Sequence, residues 1–150
     1  MLVSVAAAPL APSSVEWCGT VRLVRYVVDG DTVDVAAVGR FRLLGIDAPE
    51  IGGRFERPAP FAAEARAALE SLVLHRWVRL ECDGSTTDDY GRRLANLWLE
   101  TGIFVNARIV SDGLARVSAR RRLMRLDELR NAEDQARSRR KGMWGAWPVR

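Results

Sequence analysis

Val27-Val28-Asp29-Gly30-Asp31-Thr32-Val33 and, a few residues on, Phe41-Arg42-Leu43-Leu44-Gly45-Ile46-Asp47-Ala48-Pro49-Glu50 decide how this chain is read. Apolar runs break at an acidic turn and resume, the pattern of neighbouring strands joined by tight connections. Strands are expected over 21–28, 32–37 and 40–46, with Val38-Gly39 as the second turn. Pro49, Gly52, Gly53, Pro58 and Pro60 then mark a loop over 48–60. Beyond it, Phe61, Ala65, Ala68, Leu69, Leu72 and Val73 recur at helical spacing, which predicts a helix over 61–74 with Pro60 near its start.

The second half continues with a strand over 77–82, a polar loop over 83–91 and a strand over 93–99. A short helix near 106–111 is stopped by Gly113 as a left-handed cap, and 114–117 is extended. A last helix over 123–139 carries the apolar stripe Leu126, Leu129, Ala132 and Ala136, and Gly142 ends it. Trp144 and Trp147 are expected to pack back on the body. Three strands, a helix and two more strands fit an α+β, mainly β, chain: a five-stranded OB-type Greek-key barrel with three α-helices. Such a fold does not establish an activity.

The chemistry-bearing residues cluster at the ends of these strands. Asp31 and Asp47 end separate strands of one meander, so their side chains can converge on a hard cation. Glu50 is a further carboxylate, Arg42 projects opposite Phe41 and Leu43, and Asp89-Tyr90-Gly91-Arg92 brings a second arginine. A cation to polarise, a carboxylate to handle a water proton and two guanidiniums to hold charge on phosphorus suit phosphodiester cleavage. Asp29, an acid before glycine, reads as a cap of its own turn. Arg93 reads as a surface charge, and Asn106 as a buried polar residue satisfying loop backbone.

Bulk properties agree with a polyanionic partner without requiring one. The 150 residues form one domain with enough apolar residues (48%) for a core. The net charge is +4, and Lys141 is the only lysine, so the positive charge is nearly all arginine, whose planar fork matches phosphate. A genome rich in arginine codons gives the same composition. No apolar run is long enough to span a membrane. Residues 1–16 are set apart from 17–150 as a leader or signal-peptide remnant, which leaves secretion or a periplasmic location open beside a cytoplasmic one. His75, the one histidine, ends a helix pattern and reads as a helix C-terminal residue. The two cysteines form no CxxC or Cys/His group, which argues against zinc.

Taken in order, Asp29-Gly30-Asp31-Thr32, Arg42 to Glu50, Asp89-Tyr90-Gly91-Arg92 and Gly113-Leu114-Ala115 resemble the staphylococcal nuclease (thermonuclease) family over about 21–144. The resemblance implies the five-stranded barrel and a calcium-dependent phosphodiesterase that cuts DNA and RNA, single-stranded or denatured polymer favoured, to 3′-phosphates. Asp31, Asp47 and the Ala48 backbone carbonyl correspond to Ca2+ ligands, Glu50 to the residue that positions or deprotonates water, and Arg42 and Arg92 to the phosphate arginines. Tyr90 fits a nucleotide contact. The family often has threonine where Ala48 stands, a change a carbonyl ligand tolerates. After Gly-Leu-Ala the type member has tyrosines, whereas here the chain reads Ser118-Ala119-Arg120-Arg121-Arg122. Arg120 and Arg121 could grip phosphates there, or form a solvated loop. In this barrel the strand that begins near Cys18 pairs with the one Cys82 ends, so a Cys18–Cys82 disulfide is expected, with two buried thiols as the alternative. A monomer is the default. The competing functions are a non-catalytic nucleic-acid-binding barrel and a phosphodiesterase of small nucleotides.

Overall fold

The computed structural model describes residues 16–84 and 86–145. The expected leader, apart from Glu16, and Trp147 lie outside them. β1 (Val21–Asp29), β2 (Thr32–Val35), β3 (Gly39–Leu43), β5 (Trp77–Glu81) and β6 (Arg93–Leu99) close a barrel in the order β1-β2-β3-β6-β5. Neighbours run antiparallel except β3 and β6, which are parallel. The barrel and the three helices α1 (Ala62–Val73), α2 (Val105–Ser111) and α3 (Leu126–Ser138) give the expected α+β architecture. Val24, Val33, Phe41, Leu43, Leu80 and Leu97 point inward and are fully buried, and Trp17 meets Phe41 edge-on at 4.6 Å. The stripe Leu126, Leu129, Ala132 and Ala136 is the buried face of α3.

One expected element divides in two. The strand over 40–46 stops at Leu43, turns at Leu44-Gly45 and resumes as β4 (Ile46–Asp47), which pairs not with the barrel but with β7 (Arg116–Val117). Gly45 has φ of 77°, and a Cβ there would lie 2.7 Å from Leu123 and Leu129 side-chain atoms. Only glycine fits that left-handed, crowded corner. The corner is fastened on three sides: Leu44 N–H donates to the Ala95 carbonyl, Asn106 Nδ2 donates to the Leu44 carbonyl, and Ser118 N–H donates to the Gly45 carbonyl. Asn106, fully buried, also accepts from Leu97 N–H, the backbone-satisfying role its composition suggested. The break redirects the chain between Arg42 and Asp47.

Other ends differ from the periodic reading by a few residues. The last helix begins at Leu126 rather than 123. His75 follows α1 at φ of 58°, its N–H bonded to the Val24 carbonyl and its side chain exposed. Cys18 and Cys82 are joined by a disulfide with Cα atoms 5.5 Å apart, tying the segment before β1 to the end of β5. Trp144 lies beneath two guanidiniums, Arg137 at 4.0 Å and Arg116 at 5.1 Å from its ring centre. No helix among the described residues is long and apolar enough to cross a membrane.

Candidate active site

Asp31 enters the site from the β1–β2 turn. Asp29 shapes that turn by accepting Asp31 N–H at 3.1 Å. Gly30 is in the turn because a Cβ there would sit 2.6 Å from the Ala65 Cβ and 2.8 Å from the Ala48 Cβ. That contact presses Asp31 into the core, where it is 3% exposed. Its Oδ2 accepts Ala48 N–H at 2.8 Å and its Oδ1 accepts the Thr32 hydroxyl at 3.0 Å. Burial pushes its pKa up to about 6, and the nearby Asp29 charge adds to this, while the Ala48 N–H and Arg42 pull it down. A nearby positive charge would offset that burial and favour the ionised carboxylate.

Arg42 projects from β3 and Asp47 from β4, on either side of the Leu44-Gly45 corner. Arg42 Nη2 lies 3.1 Å from Asp47 Oδ1 and 3.5 Å from Asp31 Oδ2. One guanidinium nitrogen thus spans both carboxylates. The Asp47 side chain is 54% exposed against 4% for Asp31, so the pair has a wet member and a buried one. The donor set fits a hard cation: two carboxylates and the Ala48 carbonyl are oxygen ligands, and Ca2+ completes its shell with water. Among the described residues no three acids, cysteines or histidines gather as a metal cluster, so Glu50 does not join the aspartates. Glu50 is exposed in the loop after β4; its carbonyl accepts Ala59 N–H, and its carboxylate has no partner among the described residues.

The other arginine lies across a cleft of about 370 Å³ lined by Arg42, Tyr90, Arg92, Arg120 and Arg121, among others. Arg92 and Tyr90 belong to one turn, organised by Asp88. The Asp88 carboxylate accepts the N–H groups of Tyr90 and Arg92, each at 2.9 Å, and the Arg92 Nε at 2.6 Å. Burial opposes ionisation of Asp88, but the Arg92 backbone N–H and guanidinium hold it below the usual carboxylate range. Arg92 also sits over the Tyr90 ring at 5.3 Å. Arg120 reaches Asp89 at 3.4 Å with both side chains almost fully exposed. Arg121 is tied to Asp83, through its carboxylate at 3.4 Å and its carbonyl, so it anchors a loop as much as it faces the cleft.

Sequence reasoning passed over Asp88 and Asp83, which hold the arginines. Asp88 and Arg92 are four apart, a visible spacing; Asp83 meets Arg121 from 38 residues away. It also missed the post beneath α3, where Glu81 accepts from Arg125 at 2.8 and 3.2 Å, Asn96 at 3.1 Å and Trp98 at 3.2 Å. Arg125 in turn holds the Glu81 carboxyl below its usual range.

A family model described as staphylococcal nuclease homologue matches residues 40–146. That span holds Arg42, Asp47, Glu50, Tyr90 and Arg92, while Asp31 precedes it. The thermonuclease of Staphylococcus intermedius is 36% identical over 111 residues, 72% of this chain and 66% of that protein. The thermonuclease of Staphylococcus hyicus is 33% identical over 129 residues, 83% of this chain and 75% of that protein. A probable endonuclease, LCL3, of Podospora anserina is 32% identical over 140 residues, 85% of this chain and 47% of that protein. The family match and the nuclease relatives support hydrolytic nuclease activity. The chain belongs to the staphylococcal nuclease family.

Proposed function

We propose that this chain is a calcium-dependent endonuclease that hydrolyses DNA and RNA by in-line attack of water and leaves 3′-phosphates. The observation that supports this most is Arg42 spanning Asp31 and Asp47 at the mouth of a cleft whose far wall carries Tyr90 and Arg92. Asp31, Asp47 and the Ala48 carbonyl would hold Ca2+, which supplies charge neutralisation and polarisation of the phosphate. Arg42 and Arg92 bind the non-bridging oxygens and stabilise the dianion that forms as phosphorus becomes pentacoordinate. Glu50 takes a proton from the attacking water. The new P–O bond forms as the bond to the 5′ oxygen breaks, and that oxygen takes a proton from solvent. Tyr90 contacts the nucleotide, and Arg120 adds an exposed charge toward the strand. Denatured polymer is the favoured substrate, because exposed side chains grip a flexible strand more readily than a stiff duplex. The disulfide supports secretion or a periplasmic location, where thiols oxidise. We take the chain to act as a monomer, with 17–150 as the nuclease domain.

Cleavage of heat-denatured DNA with calcium, with magnesium and with EGTA, beside Glu50→Ala, tests this reading. Cleavage that needs calcium and collapses in the variant is expected. DNA retarded in a gel but uncut under every metal would mean a binding barrel.

A further inference from the structure

Asp47 lines a second cleft, distinct from the one that Arg42 lines. It encloses about 240 Å³ between Asp47, Pro60, Phe61, Arg116 and Met143, among others. Arg42 lines the first cleft and Asp47 the second, and the two side chains touch at 3.1 Å. A phosphate held at this pair therefore borders two separate hollows, and a phosphodiester carries one nucleotide on each side. We propose that the second cleft is a nucleotide subsite, holding the neighbour of the scissile phosphate that points away from Tyr90. The proposal rests on the nuclease reading and extends it.

The lining suits such a guest. Pro60, Phe61 and Met143 form an apolar wall of the kind a base or sugar packs on, and 240 Å³ is a space for one nucleoside rather than a duplex. Arg116 supplies the charge. It stands opposite Asp47 in the β4–β7 register, yet it pairs with no carboxylate among the described residues and lies over the Trp144 ring at 5.1 Å. A guanidinium seated over an aromatic ring, with no acid partner among the described residues, is preset for the next phosphate along the strand. Phe61 has φ of 69°, a left-handed backbone that a bulky residue adopts only at a cost. A glycine would sit there without strain, so Phe61 carries its ring at a backbone cost.

The test uses oligothymidylates with one position-resolved cleavage site and calcium. One is intact; two carry a stable abasic tetrahydrofuran residue, on the 5′ or on the 3′ side of the scissile phosphate. Phe61→Gly, which relieves the backbone, is expected to lower kcat/KM about tenfold on the intact strand, mostly through KM. On one abasic strand that loss disappears, because the base that Phe61 holds is already gone; on the other it persists. Arg116→Ala, at an exposed site with no fold-supporting ion pair, is expected to weaken long strands and spare strands that end at the subsite. Equal losses on all three strands, or no loss on the intact one, would overturn the subsite. Wild-type protein that cuts none of the strands would instead overturn the nuclease reading, so the two failures are distinct.

Discussion

The two sides of the candidate site, a carboxylate wall of the aspartates that Arg42 spans and an arginine wall of the loops that line the cleft, are built differently. The carboxylate wall hangs from the core: Asp31 is buried, its oxygens accept from Ala48 N–H and Thr32, and the Leu44-Gly45 corner that aims Asp47 is fixed by Ala95, Asn106 and Ser118. The arginine wall is made of exposed side chains on the loops at 83–92 and 118–121, each arginine resting on an acid of the same surface. The first wall is set by folding. The second wall is set by ion pairs, with which a phosphate would have to compete on the proposed function. On the proposed function, substrate binding at this site would be an exchange, in which Arg92 trades Asp88 for phosphate while Arg42 is already held between the two aspartates.

The largest expected effect falls on the two arginines. Arg42→Ala and Arg92→Ala should each lower kcat about a hundred- to a thousandfold, near 3–4 kcal/mol for a lost charge-stabilising donor. The walls separate when lysine is used instead. Arg92→Lys should stay near the alanine level, since a point charge does not replace a two-pronged donor. Arg42→Lys should in addition weaken calcium binding, because Arg42 spaces both aspartates; calcium titration followed by tryptophan fluorescence reads this. Near wild-type turnover by Arg92→Lys would remove Arg92 from its assigned role.

Next in size is the disulfide. Cys82 directly precedes Asp83, so the bond anchors the root of the arginine loops and leaves the aspartates untouched. Cys18→Ser with Cys82→Ser should lose about 2–4 kcal/mol in denaturant unfolding. Calcium affinity of the folded variant should hold. A parallel loss of calcium affinity would mean the two walls are not independent.

Asp31 sharpens the contrast from the carboxylate side. Its folded pKa, about 6, lies above the ordinary 3.8, so the folded state holds the proton more tightly than the unfolded chain does. Without metal, Asp31 therefore destabilises the fold increasingly as pH rises from about 4 to 6, and fully above that. Asp31→Asn should make the EGTA-treated protein more stable at pH 7 by roughly 1–3 kcal/mol, with the gain vanishing near pH 4. It should also abolish activity and the rise in Tm that calcium gives the parent. A variant less stable than the parent at pH 7 would show that the carboxylate's hydrogen bonds outweigh its burial.

How much of this was legible in the sequence follows the same division. The Asp29-Gly30-Asp31 turn, the barrel strands and the α3 stripe are local patterns, and a period of two or of three to four residues exposes them. The break at Leu44-Gly45 was not legible, because Gly45 is demanded by Leu123 and Leu129, some eighty residues away in the chain. The Glu81–Arg125 post and the Asp83–Arg121 tie have the same cause: each joins residues about forty apart, where no period applies. Asp88 is the exception, since its four-residue spacing from Arg92 is itself a local pattern.

Asp88→Asn carries the smallest effect and tests the contrast most directly. The amide oxygen can still accept the Tyr90 and Arg92 N–H groups, so the turn is kept, while the charge that holds the Arg92 guanidinium is removed. Arg92 is half exposed, and an ion pair so placed contributes about 0–1 kcal/mol to stability. Tm should therefore barely move. Two kinetic consequences oppose each other: a free guanidinium meets phosphate without displacing an acid, but it must be ordered as it does so. The expected net change in kcat/KM is less than about fivefold, with KM falling and kcat falling alongside it. A loss as large as that of Arg92→Lys would mean that Asp88 fixes Arg92 as firmly as the core fixes Asp31. The arginine wall would then be prebuilt as well, and binding would be docking onto a finished site rather than exchange of one anion for another.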